Sequence, residues 1–166
     1  MNKEIQKLKK TGFTGFLKIN KIKDNNYSQI PAAKGIYIVL WKSTSQPIFL
    51  KDNPGGHFKG KDPTVSIEKL RNNWVQNTSI IYIGKAGSKT STTTLKKRIK
   101  DFIEFGNGKP KSHWGGRYIW QIKDAEKYLL FCWKKVQNIE PRKFEKEFIK
   151  NSKETFCKLP FGNLIN

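Results

Sequence analysis

Apolar residues along this chain follow two periods. Gly35 to Trp41 reads GIYIVLW, an unbroken run rich in β-branched and aromatic side chains, and predicts a strand buried on both faces. Ser79 to Gly84, SIIYIG, predicts a second strand. From Thr94 to Phe105 the period lengthens: Leu95, Ile99, Phe102 and Ile103 recur at helical spacing and predict an amphipathic helix capped by Thr92 or Thr93. Two more strands are expected near 117–122, RYIWQI, and 127–136, KYLLFCWKKV. A last helix is expected from just after Ile139 to about Lys153, with Pro141 in its first turn, where proline is tolerated. Residues 3–10 predict a short basic helix, and 42–79 form a long polar excursion between the first two strands. That excursion contains an evident loop, KDNPGGHFKGKDP, and helical spacing at Ile67, Leu70 and Trp74. The expected fold is α/β of the α+β kind, a small central antiparallel or mixed sheet flanked by helices. The 166 residues are expected to make one domain, with 1–30 as a basic N-terminal extension and 42–79 as an insertion.

Composition adds a partner class. Lysine and arginine number 33 against 13 aspartate and glutamate, a formal net charge of +20. An excess this large favours a polyanion, nucleic acid first and an anionic membrane surface second. The N-terminus lacks the apolar core of a secretory signal, and no run of about 18 apolar residues predicts a membrane span. Cys132 and Cys157 form no C-x-x-C pair, so a reduced, cytoplasmic protein is expected. Only Arg71, Arg98, Arg117 and Arg142 break the lysine habit, and each is a candidate for a task needing a planar, bidentate fork.

The stretch YIGKAGSKT, from Tyr82 to Thr90, invites comparison with a phosphate-cradling loop. A P-loop needs its lysine directly after the second glycine, with four residues between the glycines. Here two residues separate Gly84 from Gly87, and Ser88 stands before Lys89, so the spacing excludes it. Strand alternation offers another reading. Tyr37, Val39 and Trp41 share one face of their strand, and Ile80, Tyr82 and Gly84 share one face of theirs. If the strands pair, Tyr37 and Tyr82 point to the same side, with Gly84 allowing a ligand or backbone to approach. Two tyrosines packed against a helix fit the same pattern.

GIY at 35–37 followed by YIG at 82–84 resembles the two defining motifs of the GIY-YIG nuclease superfamily. The resemblance extends to an arginine on the following helix, Arg98 in LKKRI, a glutamate on a late helix, Glu145 in EKEFI, and an asparagine near the end, Asn163 in LPFGN. One departure stands out: where many members carry a histidine one turn after the arginine, this chain has Phe102, and His113 is the nearest candidate replacement. The resemblance implies hydrolysis of a phosphodiester bond by an in-line water. Tyr37 would act as base or orient the water, Tyr82 would position water or phosphate, and Arg98 would clamp the phosphate. His113 would orient or deprotonate a tyrosine, or polarise the water. Glu145 would hold Mg²⁺ (or Mn²⁺).

Glu145 can also be read from helical geometry. It falls beside Phe148 and Ile149 on the apolar side of its helix, whereas Glu147 falls on the outer side. An inward carboxylate is costly unless paired or bound to a cation, and a single carboxylate suits Mg²⁺, which keeps several waters and takes other ligands from phosphate. Tyr37 could serve as base only if cations such as Lys85 or Arg98 stabilise its anion. Lys85, Lys89, Arg117 and Asn163 are further candidates for nucleic-acid contact. Arg71 and Trp74 in the insertion suit backbone contact and base stacking, though the insertion could equally be a structural lid. The expected function is a Mg²⁺-dependent DNA endonuclease, restriction-like or defence-related, with RNA left open as substrate and either a monomer or a homodimer. The alternative is a non-catalytic nucleic-acid-binding domain that keeps the fold.

Overall fold

The computed structural model describes residues 2–137 and 140–164. Four strands form one antiparallel sheet in the order β1-β4-β2-β3. They are β1 (Thr14–Lys18), β2 (Gly35–Trp41), β3 (Ile80–Ala86) and β4 (Leu129–Lys135). Seven α-helices are found among the described residues: α1 (Asn2–Lys10), α2 (Ile19–Asp24), α3 (Ile67–Asn73), α4 (Leu95–Gly106), α5 (Arg117–Trp120), α6 (Ala125–Tyr128) and α7 (Pro141–Phe156). None is long and apolar enough to cross a membrane.

The continuous apolar run of β2 has the expected cause. It lies between β4 and β3, and all seven of its residues are buried. Its side chains divide by alternation. Tyr37, Val39 and Trp41 join Phe131, Trp133 and the apolar stripe of α4 on one face. Ile36, Ile38 and Leu40 join Leu8 of α1 and Ile149 of α7 on the other. The sheet is therefore a middle layer with helices on both sides. Gly35 is set by this packing, because a Cβ there would fall 2.2 Å from the Lys134 carbonyl oxygen of β4.

Several sequence expectations change. RYIWQI is helical rather than a strand: α5 covers 117–120, and residues 118–122 are all buried. Strand alternation would aim adjacent side chains at opposite faces, whereas the turn lets Tyr118, Ile119, Trp120 and Gln121 all enter the core. The strand expected over 127–136 starts later, at Leu129, after the helical turn α6. Helix α4 is capped by Thr94, whose Oγ1 accepts the Lys97 N–H at 3.2 Å, rather than by Thr92 or Thr93. A register shift beside Val39 pairs Leu40 with Ile80, so Ile80 packs on the face opposite Tyr82. β1 was not anticipated, and the stretch expected to be an extension supplies it together with buried Leu8, Phe13, Ile19 and Ile22.

The insertion is built into the core. Phe49 bridges Ile122, and Leu70, Val65 and Val75 are buried. Fully buried Gln121 fastens it: Oε1 accepts the Val65 N–H at 2.8 Å, and Nε2 donates to the carbonyls of Val65 (2.7 Å) and Leu50 (3.0 Å). Asn53 adds a bond from Nδ2 to the Arg117 carbonyl at 2.6 Å. Removing the Gln121 amide strands buried backbone groups on both sides, and each unsatisfied group costs about 1–3 kcal/mol. Gln121→Ala is expected to lower unfolding stability by at least about 2 kcal/mol in denaturant titrations, with the unfolding slope little changed.

Candidate active site

The two tyrosines meet as their strand phase implies. Tyr37 opposes Gly84 in the β2–β3 ladder and Val39 opposes Tyr82, which puts both phenols on the α4 face. Their ring centroids are 5.8 Å apart. A Cβ on Gly84 would lie 2.5 Å from Tyr37 Cζ, so the group that approaches this glycine closely is the Tyr37 ring.

His113 completes the pair. It is fully buried, and its Nε2 lies 2.7 Å from the Tyr37 hydroxyl. Its ring stands edge-on to Phe102, with centroids 4.7 Å apart, so the loop supplies a histidine beside the helix position where the sequence has phenylalanine. Burial pushes the His113 pKa well below its ordinary value, and Arg98 pushes the same way. The ring is thus neutral. Its Nδ1 is buried without a partner.

Arg98 leaves the flank of α4 and donates from Nη1 to the Ser112 carbonyl at 2.7 Å, which ties the loop before His113 to the helix. Gly115, two residues past His113, packs on Tyr82: a Cβ there would be 3.1 Å from the Tyr82 hydroxyl. Burial raises the pKa of Tyr37 well above its ordinary value, and Tyr82 adds to this while Arg98 opposes it. Tyr82 is also raised by burial, with Arg98 and the neighbouring Tyr37 hydroxyl working against the rise. Both phenols are therefore protonated at neutral pH.

A cleft of about 290 Å³ opens beside this group. Tyr82, Lys85 and Gly87 of the β3 end line it, with Ser91 and Thr93 of the following loop, Arg98 of α4 and Glu145 of α7. Glu145 is half-buried as its helical phase implies. Burial raises its pKa, against the pull of Lys85, Arg142 and Arg98. No cluster of three metal-ligating side chains exists among the described residues, so any cation here would rest on one protein carboxylate. That donor set fits Mg²⁺ or Mn²⁺: a hard oxygen donor, nearby hydroxyls, and space for water and phosphate oxygens. The start of α4 offers no phosphate cradle, because its first amides already have acceptors. Leu95 donates to Ala33 O, Lys96 to Pro31 O, Lys97 to Thr94 Oγ1 and Arg98 to Thr94 O.

Other candidates lie outside the cleft. Lys89 is exposed on the loop after β3, and Arg71 is exposed on α3. Trp74 packs among Trp41, Phe49 and Phe161 at centroid distances of 5.0–6.4 Å, an ordinary aromatic cluster. Asn163 spends its amide on the backbone of β3, accepting the Ile83 N–H at 2.9 Å and donating to Ile83 O at 2.8 Å. Gly162 N–H adds a bond to Ile81 O, so the chain end covers an open sheet edge. Arg117 stacks on Trp114. Sequence reasoning missed Lys34, whose Nζ holds the Ser88 carbonyl at 2.6 Å, and missed Ser91 and Thr93 in the cleft wall. Nothing in their spacing distinguishes them from loop residues. No family model matches this chain, and no curated protein or solved structure matches it.

The buried neutral histidine has a pH consequence. In the unfolded chain His113 titrates near its ordinary value of 6.5, while the native ring resists protonation to lower pH. Its contribution to stability is complete above about pH 6.5 and is lost as pH falls below that value. Thermal unfolding followed from pH 7 to pH 5 is expected to show a falling midpoint, and His113→Gln is expected to flatten that dependence.

Proposed function

We propose that this protein is a Mg²⁺- or Mn²⁺-dependent endonuclease of the GIY-YIG type that hydrolyses phosphodiester bonds in DNA. The observation that carries the reading is convergence: Tyr82, Arg98 and Glu145 line one cleft, and Tyr37 and His113 stand directly behind Tyr82. These residues come from two strands, two helices and a loop. Charge supports the same reading. Several acids that do not line the cleft are occupied in lysine pairs, including Glu104 with Lys109 and Lys111, Asp101 with Lys97, and Glu126 with Lys23. The cations acting on Glu145, by contrast, outnumber it three to one: Lys85, Arg142 and Arg98.

Each group then has a task. Arg98, held by Ser112, clamps the scissile phosphate and stabilises the charge that grows on it during attack. Tyr82 orients the attacking water. The proton that the water loses passes by way of the adjacent Tyr82 and Tyr37 phenols to His113 Nε2 in its acceptor tautomer, because neither phenol is ionised beforehand and His113 is neutral. Glu145 is the protein ligand for the divalent ion. That ion, when bound, neutralises charge on the phosphate and the departing oxygen.

The test is supercoiled plasmid incubated with the pure protein in Mg²⁺ or in EDTA. Nicked or linear product is expected only with the metal, and Glu145→Gln is expected to reduce cleavage by at least about 100-fold while binding persists. Salt-sensitive binding with no cleavage under any divalent metal would instead define a nucleic-acid-binding domain that keeps the fold.

A further inference from the structure

Arg117 is a half-buried cation without a counterpart. Its guanidinium makes no hydrogen bond or ion pair among the described residues, and its Nε is buried with no acceptor. Aromatic rings hold it: the guanidinium carbon lies 4.5 Å from the Trp114 ring centroid and 5.6 Å from that of Tyr118. Arg98, by contrast, has the Ser112 carbonyl. A partly desolvated positive charge is costly unless compensated, and ring faces compensate only in part.

The position of this stack is fixed from both sides. Trp114 and Arg117 flank Gly115 and Gly116, and Gly115 packs directly on Tyr82. Ser112 and His113, immediately before them, are tied to Arg98 and Tyr37. On the far side, Asn53 of the insertion holds the Arg117 carbonyl. The loop that carries Arg117 therefore runs against Tyr82, a residue of the cleft wall, although Arg117 itself does not line the cleft. Stacking restricts a long, rotamer-rich side chain in advance, so less entropy is lost when its terminal amino groups meet an anion.

We propose that Arg117, held over the Trp114 ring, clamps a second backbone phosphate of the bound nucleic acid, one that neighbours the scissile phosphate and is not itself cleaved. Arg117 takes no part in the chemistry. It fixes the strand so that the neighbouring phosphate reaches Arg98 and Glu145, and Trp114 is the positioning residue for Arg117. The inference rests on the nuclease reading only for the identity of the ligand, and it can be tested without any cleavage.

The experiment measures binding of fluorescently labelled DNA duplexes of several sequences in EDTA, over a series of salt concentrations. One phosphate contact contributes about 0.9 to the slope of log K against log salt. Arg117→Gln is expected to reduce that slope by about one and weaken binding roughly tenfold or more, equally for all sequences. Arg117→Lys keeps the charge and loses the guanidinium stack. It is expected to keep the wild-type slope with a smaller loss of affinity, which preserves the test if the glutamine variant folds poorly. Trp114→Leu is expected to weaken binding while leaving the slope unchanged. An unchanged slope in Arg117→Gln would overturn the phosphate clamp, as would a loss confined to duplexes with guanine at one position. Wild-type protein that binds no duplex would overturn the nuclease reading as well.

Discussion

The site depends on one hydrogen bond, between the Tyr37 hydroxyl and His113 Nε2 at 2.7 Å. It joins the middle of a central strand to a loop 76 positions later, and both residues are completely buried. The bond requires Gly84, because any side chain there would displace the Tyr37 ring. Phe102 packs against the imidazole with the two ring planes nearly perpendicular, and the bond is steadied by the Arg98 bond to Ser112. The same loop then delivers Gly115 to Tyr82 and carries the Trp114–Arg117 pair beside it.

Burial divides the site into two electrical parts. Tyr37 and His113 sit where charge is disfavoured, so both stay neutral near pH 7 while sharing a hydrogen bond. Arg98, Lys85 and Glu145 sit at the wall of the cleft, where ionised groups can meet water, a cation or phosphate. Neutral groups behind a charged cleft wall suit the proposed hydrolysis of a phosphodiester. Charge is needed at the phosphate, and a group able to accept a proton is needed behind the water.

Much of this was legible in the sequence, and the reasons are specific. Tyr37 and Tyr82 could be placed on one face because strand alternation is strict and both sit in strong β-forming runs. Glu145 could be read as inward because α7 is amphipathic, and Arg98 lay on the flank of an equally clear helix. Other features leave no periodic trace. β1 contains Gly15 and Phe16 at positive φ and a shifted register, so it shows no clean alternation. RYIWQI is composed of strand-forming residues, and only its continuous burial makes a helical turn the better solution. Residue spacing could not show that Trp74 belongs to an aromatic cluster, or that the Asn163 amide is taken up by the edge of β3, because both depend on long-range packing.

Coupling between Tyr37 and His113 can be measured directly by a double-mutant cycle on the single-turnover cleavage rate. Folded Tyr37→Phe, folded His113→Gln and the double variant are compared with wild type at saturating Mg²⁺ and excess protein. A single proton path through the pair predicts that each single variant and the double variant lose rate by about the same factor. Losses that multiply in the double variant, or full activity in Tyr37→Phe, would contradict it.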